Sequence, residues 1–180
     1  AGNIGSIVAD RAKGLRMRVI AYDPFLSPER AQDLGIEKVE LNDLLARADF
    51  ITLHVPMTPE TKNILSAEAL AKTKKGVRIV NCARGGLIDE KALKAAIDSG
   101  HVAGAALDVF EVEPAKENVL FGNEKIVATP HLGASTTEAP SSTSWAASSE
   151  ACARVRVTTT RRPKSGRSSN HRCSSPHRSL

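Results

Sequence analysis

The sequence predicts an α/β domain built on a doubly wound parallel sheet, with helices on both faces. Over the first 138 of 180 residues, short apolar runs alternate with stretches of helical periodicity. The apolar runs are mostly continuous, as in parallel strands that are buried on both faces. Glycine or proline marks several helix ends, and strand–helix alternation of this kind is typical of crossover connections between parallel strands.

Three helices have readable ends. The first is predicted over Gly5–Lys13 and is expected to end at Gly14. Ser27-Pro28 supplies an N-cap and a proline at the first helical position of the second. The third is predicted over Asp89–Ser99 and is expected to end at Gly100, a favourable residue after a helix. Five strands are predicted between and around these helices, at residues 17–22, 50–55, 77–82, 103–109 and 125–129.

The start of the first helix has the pattern of a nucleotide-binding turn. Gly2, Asn3, Ile4 and Gly5 lead into the helix, and Asp23 closes the next strand about 20 residues later. Glycines there let the backbone approach a pyrophosphate, and the Asn3 and Ile4 amides point toward it. The Asp23 carboxylate would accept ribose hydroxyls and repel a 2′-phosphate, which favours NAD over NADP. Each signal taken alone also fits an ordinary turn.

The first half of that glycine pattern is missing from the sequence. The first glycine and the strand before it are not present, since the sequence begins at Ala1. We therefore expect a Rossmann-type domain that is incomplete at its N-terminal edge. The missing strand would lie centrally in the sheet, and its neighbours would then carry unpaired backbone.

The composition changes after residue 138. Residues 1–138 hold 17 Lys and Arg against 19 Asp and Glu, whereas residues 139–180 hold 8 against 1. The second segment is rich in Ser, Arg and Thr without periodicity, so we predict an NAD-binding domain at 1–138 and a disordered tail at 139–180. We hypothesise that a shifted reading frame produced the tail, which sequencing of the coding DNA would test.

Several partner classes are disfavoured. The basic tail could contact nucleic acid without specificity, but no stacking aromatic residues accompany it, so no specific nucleic acid is predicted. No apolar run approaches the ~18 residues of a membrane span. The spacing of His171, Cys173 and His177 fits no zinc pattern.

Three cysteines without a C-x-x-C pair give no disulfide framework, so we expect a cytoplasmic protein.

Three further motifs contain the candidate functional side chains. They read NCARGGLID at residues 81–89, AALDVFEVEP at 105–114 and TPHLGAST at 129–136. With the glycine turn, they resemble the NAD-dependent D-2-hydroxyacid dehydrogenases over about residues 2–139. The resemblance implies NAD as cofactor and a small 2-hydroxy acid as substrate. The sequence of the third motif resembles the branch of the family that acts on a phosphorylated 2-hydroxy acid, which we therefore expect as the substrate.

The catalytic candidates are Arg84, Glu113 and His131. Arg84 follows a buried strand at its carboxyl end, where a guanidinium can hold a substrate carboxylate bidentately. The His131 imidazole suits removal of the hydroxyl proton, and a carboxylate such as Glu113 behind it would fix its tautomer. Alone, these residues would be read as a surface arginine, a loop acid and a structural histidine. The resemblance implies the catalytic roles.

The remaining site residues are implied by the resemblance. The position of Asp108 contacts the nicotinamide amide in the family, and other matched stretches line the cofactor cleft. The predicted cofactor-binding residues are Gly2, Asn3, Ile4, Gly5, Asp23, Val55, Pro56, Cys82, Ala83, Arg84, Asp108, His131, Leu132, Gly133 and Ala134.

Two alternatives stay open. One is a substrate of another branch of the family, such as hydroxypyruvate or glyoxylate, because the segments that select the substrate are not in this sequence. A non-enzymatic NAD-sensing module, like the family's corepressors, would also keep Arg84, Glu113 and His131. With one wall of the cleft absent, we expect this chain alone to be nearly inactive. The resemblance implies a homo-oligomer for the intact enzyme.

Overall fold

The computed structural model describes residues 1–132, which form an α/β domain. The elements, in chain order, are α1 (Asn3–Gly14), β1 (Ile20–Ala21), α2 (Pro28–Leu34), β2 (Glu37–Lys38), α3 (Leu41–Arg47), β3 (Phe50–Leu53), α4 (Ala67–Ala71), β4 (Val77–Asn81), α5 (Glu90–Asp98), β5 (Val102–Leu107) and β6 (Ile126–Ala128).

All six described strands are parallel, and they form two sheets. The larger sheet has the order β3-β4-β5-β6, and the smaller one pairs β1 with β2. Ile51, Ile79, Ala105 and Ile126 stand in register across the four strands of the larger sheet. The predicted α/β class with a parallel sheet is confirmed. The division into two sheets is compatible with the expected absence of a central strand, which stays a prediction.

The main core lies between one face of the larger sheet and helices α3, α4 and α5. Leu93 and Ile97 of α5 are completely buried there, together with Ile79 of β4. The spacing of Leu93 and Ile97 places both on one stripe of the helix. The other face of the sheet presents Phe50 and Arg78, whose guanidinium lies 5.6 Å from the Phe50 ring centroid.

The N-terminus of helix α1 lies beside the carboxyl ends of β1 and β3. Ala9 of α1 packs with buried residues of the smaller sheet's neighbourhood, including Leu26 and Ile36. At the start of the helix, the Ala1 amino group lies 2.6 Å from the Asp23 carboxylate after β1. Gly5 contacts His54, which follows β3. The helix N-terminus therefore lies against the ends of strands from both sheets.

The element boundaries differ from the predictions in several places. All five predicted strands are present but shorter, and β2, α3 and α4 were not predicted. Helix α1 starts at Asn3 and includes Gly14, and the left-handed residue after it is Arg16, with φ of 60°. Ser27 caps α2 as predicted, and Asp89 caps α5 while Gly100 follows it with φ of 73°.

The predicted tail, residues 139–180, lies outside the described residues, as do residues 133–138. Within residues 1–132, no helix has both the length and the apolar character needed to cross a bilayer. The same part of the chain holds no group of three or more His, Cys, Asp or Glu side chains suited to a metal ion.

Candidate active site

The described site residues all lie after the carboxyl ends of parallel strands or at the start of α1. Asp23 follows β1, Val55 and Pro56 follow β3, and Cys82, Ala83 and Arg84 follow β4. Asp108 and His131 follow β5 and β6. This edge is where ligands bind in open parallel sheets. The predicted residues Gly133 and Ala134 lie outside the described part of the chain.

The predicted nucleotide-binding turn has the geometry of an open helix N-terminus. Gly2 is the N-cap of α1 in extended conformation, and no side chain caps the helix. A Cβ built on Gly2 would meet nothing within 4 Å, and Asn3 and Ile4 are exposed, so the start of the helix is accessible. The first amides of a helix favour an anion at this position. The observed turn therefore fits a pyrophosphate.

The Asp23 carboxylate lies beside this turn. Its Oδ2 accepts a hydrogen bond from the Ala1 amino group, and its Oδ1 accepts one from the Phe25 amide at 2.9 Å. The hydrogen bond from the Phe25 amide favours the ionised carboxylate, which can accept hydrogen bonds from ribose hydroxyls.

His54 forms the wall of the turn on the β3 side. Its Cβ would lie 3.7 Å from a Cβ added at Gly5, and its Nε2 is 3.0 Å from the Thr52 hydroxyl. Burial lowers the pKa of His54 to about 4, so the ring is neutral at physiological pH.

Arg84 stands on a turn that Asn81 shapes. The Asn81 side chain is 2% exposed, accepts a hydrogen bond from the Ala83 amide at 3.0 Å and donates one to the Arg84 carbonyl at 2.9 Å. The Arg84 side chain is exposed, and its Nη1 donates to the Ala83 carbonyl at 2.6 Å. Asn81 has a local role that we did not predict, although an Asn at the end of a strand is a known signal for such a turn.

The Arg84 turn lies directly against the segment that follows β5. A Cβ built on Gly85 would lie 1.8 Å from the Phe110 carbonyl oxygen, which no side chain tolerates. Gly85 of the double glycine therefore serves the close approach of another backbone segment. Gly85 joins the loop of Arg84 to the loop of Glu113.

Glu113 and His131 form a direct pair. His131 Nδ1 donates to Glu113 Oε2 at 2.8 Å, and Glu113 Oε1 accepts from the Phe110 amide at 3.1 Å. Burial raises the pKa of Glu113, but the hydrogen bonds from His131 and Phe110 outweigh it and hold the pKa below its ordinary value. About a third of each side chain is exposed. This arrangement directs His131 Nε2 away from the carboxylate.

Asp108 holds the His131 loop in place. Its side chain is 3% exposed, and its Oδ1 accepts hydrogen bonds from the Thr129 hydroxyl at 2.5 Å and the Leu132 amide at 2.9 Å. The His131 amide donates to the Asp108 carbonyl, and His131 has the left-handed φ of 52°. The predicted contact of Asp108 with nicotinamide stays a prediction, and the hydrogen bonds add a structural role.

An open cavity lies beside the Glu113–His131 pair. Its volume is about 510 Å³, and it is lined mainly by apolar residues, among them Phe110, Phe121 and Pro130. The two phenyl rings meet edge to face, with centroids 5.3 Å apart. The pair therefore lies at the border between an apolar surface and the polar strand ends.

The other predicted residues complete the same edge. Val55 and Ala83 pack against the main core, and Cys82 is half-buried. The Pro56 carbonyl accepts a hydrogen bond from the Thr61 hydroxyl at 2.7 Å, which fixes the loop after β3. These residues supply backbone and packing rather than reactive groups.

Comparison with known proteins identifies the family. Residues 1–133 match the domain described as D-isomer specific 2-hydroxyacid dehydrogenase, NAD binding domain. The chain is 56% identical over 138 residues to D-3-phosphoglycerate dehydrogenase of Bacillus subtilis (strain 168). The alignment covers 77% of this chain and 26% of that protein. The corresponding enzyme of Mycobacterium leprae (strain TN) is 58% identical over 138 residues, with the same coverage. The chain thus spans about a quarter of the length of these relatives.

Solved structures give the same result. The glyoxylate reductase from Paecilomyes thermophila aligns with a TM-score of 0.70 and 42% identity, over 77% of this chain and 42% of that one. The D-lactate dehydrogenase from Escherichia coli aligns with a TM-score of 0.68 and 37% identity, over 77% and 43%. These matches confirm the predicted resemblance, the Rossmann-type fold and NAD as the cofactor. The chain belongs to the D-isomer specific 2-hydroxyacid dehydrogenase family and carries that family's NAD-binding domain.

Proposed function

We propose that this domain serves the NAD-dependent oxidation of 3-phospho-D-glycerate to 3-phosphooxypyruvate, a step of serine biosynthesis. The observation that carries the proposal is the hydrogen bond between His131 Nδ1 and Glu113 Oε2 at the carboxyl edge of the sheet. The relatives named D-3-phosphoglycerate dehydrogenase, which are more than half identical over 138 residues, support the choice of substrate.

The residues of the first turn and of the strand ends would hold NAD. The amides of Asn3 and Ile4 would bind the pyrophosphate, and Asp23 would accept the ribose hydroxyls. Val55, Pro56, Cys82 and Ala83, with Leu132, Gly133 and Ala134, would line the cleft. Bound NAD would supply the acceptor for the hydride that leaves C2 of the substrate.

Three side chains would handle the substrate. His131 would take the hydroxyl proton on Nε2, because its Nδ1 is bonded to Glu113. Glu113 would stabilise the imidazolium that results, in addition to fixing the tautomer. Arg84, whose exposed guanidinium follows the carboxyl end of β4, would hold the substrate carboxylate.

A second candidate is the oxidation or reduction of an unphosphorylated 2-hydroxy or 2-keto acid. The likeness to a glyoxylate reductase, at 42% identity over 77% of this chain, favours it specifically. The Arg84, Glu113 and His131 roles are the same for both, because each substrate has a carboxylate beside the reacting carbon. Only the group that recognises phosphate would differ.

A domain exchange tests the proposal. The 138 matched residues of the Bacillus subtilis relative would be replaced by those of this chain, and the hybrid assayed with 3-phosphoglycerate and with glyoxylate. We expect NAD-dependent oxidation of 3-phosphoglycerate that is lost, by about 100-fold or more, on His131→Asn. Glu68→Ala, an exposed acid in the first turn of α4, is the matched control. A hybrid that binds NADH but does not turn over 3-phosphoglycerate would contradict the proposal.

The setting of the enzyme is also a proposal. We expect a cytoplasmic homo-oligomer, in line with the cysteine usage and the habit of the family. Analytical ultracentrifugation of the hybrid would test the oligomer, since a sedimentation coefficient of a monomer at all concentrations would contradict it. No nucleic acid or membrane partner is proposed.

A further inference from the structure

The loop that carries Glu113 needs an anchor. Residues 108–125 connect β5 to β6 without regular secondary structure, and the side chains around Glu113 are largely exposed. Phe110 and Leu120 are buried near its two ends. An exposed segment of this kind would move on its own, because few apolar contacts restrain it. Yet Glu113 must stay at hydrogen-bonding distance from His131.

Glu90 bonds to both sides of this segment. Its Oε1 accepts a hydrogen bond from the Glu111 amide at 2.8 Å, and its Oε2 accepts one from Asn118 Nδ2 at 2.7 Å. The Asn118 Oδ1 in turn accepts from the Leu120 amide at 3.0 Å. One carboxylate therefore closes the loop around Glu113 and connects it to a completely buried leucine.

Glu90 itself stands on a rigid support. It lies in the first turn of α5, which Asp89 caps, and Leu93 and Ile97 of the same helix are completely buried. A carboxylate is favoured near a helix N-terminus. Hydrogen bonds to a charged acceptor are also stronger than neutral ones. The position thus supplies a fixed acceptor for two donors of an otherwise exposed loop.

We propose that Glu90 is a positioning residue that holds the Glu113 carboxylate against His131. This inference rests on the proposed roles of Glu113 and His131 in proton transfer. Glu90 touches neither of them directly, and it acts through Glu111 and Asn118. The reaction would then depend on α5, a helix that contributes no side chain to the proton transfer itself.

A role confined to the helix would look different. If Glu90 only favoured the N-terminus of α5, its removal would lower stability and leave the ionisation of Glu113 unchanged. The pKa of Glu113 is held low by hydrogen bonds from His131 and Phe110 against a raising effect of burial. Loosening the loop would weaken those hydrogen bonds and raise this pKa. Titration of Glu113 therefore separates the two roles.

The test uses three variants of the 180-residue chain. Glu90→Ala removes both acceptors, and Glu90→Gln keeps only one oxygen for the Glu111 amide. The third variant combines Glu90→Gln with Asn118→Asp. This exchange restores both hydrogen bonds, because the new amide donates to the new carboxylate, which still accepts from the Leu120 amide. Glu68→Ala, which removes an exposed first-turn acid from α4, is the matched control.

The readouts are the pKa of Glu113, from ¹³C carboxyl titration, and amide hydrogen exchange of Glu111. We expect Glu90→Ala to raise the Glu113 pKa toward its ordinary value and to speed exchange at Glu111 by about tenfold or more. Glu90→Gln should have a smaller effect, and the exchanged pair should restore the original values. The Glu68→Ala control should change neither.

Unchanged titration of Glu113 in both Glu90→Ala and Glu90→Gln would overturn the proposal. If Glu90→Ala does not fold, Glu90→Gln and the exchanged pair decide, and failure of the exchange to restore the pKa counts against it. NADH binding of the same samples is measured separately. A chain in which Glu113 responds to Glu90 but NADH does not bind would count against the proposed cofactor site and leave the contact between Glu90 and the Glu113 loop intact.

Discussion

The two carboxylate oxygens of Glu113 accept hydrogen bonds from different donors, one a side chain and the other the backbone. One oxygen accepts from His131 Nδ1 and the other from the Phe110 amide, so the acid is fixed in rotation as well as in distance. Such an arrangement favours the ionised form, and it makes the loop depend on that ionisation. The sign of the dependence follows from the lowered pKa of Glu113.

Glu113→Gln should lose stability only where the carboxylate is ionised. The folded pKa lies below the unfolded value of about 4.3, so the contribution is complete above that pH and is lost as the pH falls through the folded pKa. Urea unfolding of both chains across pH 3 to 6 measures it, with Glu117→Gln as the control for an exposed loop acid. A difference in unfolding free energy that grows toward low pH would contradict the assignment.

The sequence predicted the reactive side chains better than the residues that hold them in place. Arg84, Glu113 and His131 lie at the predicted edge because their motifs follow predicted strands. Glu90 acts through hydrogen bonds to Glu111 and Asn118, which lie 21 and 28 residues away, and nothing in its immediate sequence indicates these partners. Long-range contacts of this kind are set by tertiary structure.

Two loops meet at Gly85, and the contact allows no side chain. Gly85→Ala would place a Cβ 1.8 Å from the Phe110 carbonyl oxygen, so the Arg84 and Glu113 loops must separate. We expect a loss of about 3 kcal/mol in unfolding free energy, at the upper end of overpacking effects. Thermal unfolding measures it, and Gly14→Ala is the control, because its Cβ would meet nothing within 4 Å. Equal stability of the two variants would refute the close approach.

Helix α5 depends on its cap. The Asp89 side chain accepts a hydrogen bond from the Ala92 amide at 3.0 Å, whereas Glu40 at the corresponding position of α3 makes no such bond. Asp89→Ala should therefore cost about 1 kcal/mol of unfolding free energy, and Glu40→Ala much less. Chemical denaturation compares the two. Equal costs would show that the cap geometry does not stabilise α5.

The elements that sequence reasoning missed are short or lack a pattern. Helix α4 has five residues, fewer than two turns, and β2 has two residues that are both exposed. Neither length allows apolar periodicity to appear. After α1, the left-handed turn falls on Arg16 rather than on Gly14, because the helix continues through the glycine. Glycine is the better candidate by propensity, but the helix closes one residue after Leu15, where the amides of Arg16 and Met17 donate to the Lys13 and Ala12 carbonyls.

The division of the strands gives the domain two unequal parts. The larger sheet shares a continuous core with α3, α4 and α5, while four buried residues form the cluster beside β1 and β2. The parallel α/β class was predictable because buried parallel strands read as continuous apolar runs. The pairing of β1 with β2 was not, since the exposed pair Glu37–Lys38 carries no strand signal.

Amide hydrogen exchange should reflect this division. Ile79 and Val80 of β4 have strand neighbours on both sides, whereas Ile20 and Ala21 of β1 pair with one strand within residues 1–132. We expect slow, globally limited exchange in β4 and exchange faster by at least about 100-fold in β1. Exchange measured by NMR under native conditions decides this. Equal protection in both strands would mean that the two sheets unfold as one unit.

The proposed NAD site is formed by the open turn of α1 together with the Asp23 carboxylate after β1. The direct measurement is a fluorescence titration of the 180-residue chain with NADH and with NADPH, repeated for Asp23→Ala. We predict saturable NADH binding, NADPH binding weaker by about tenfold or more, and loss of that preference in the variant. Equal affinity of the unaltered chain for both nucleotides, or no saturable binding of NADH, would contradict it.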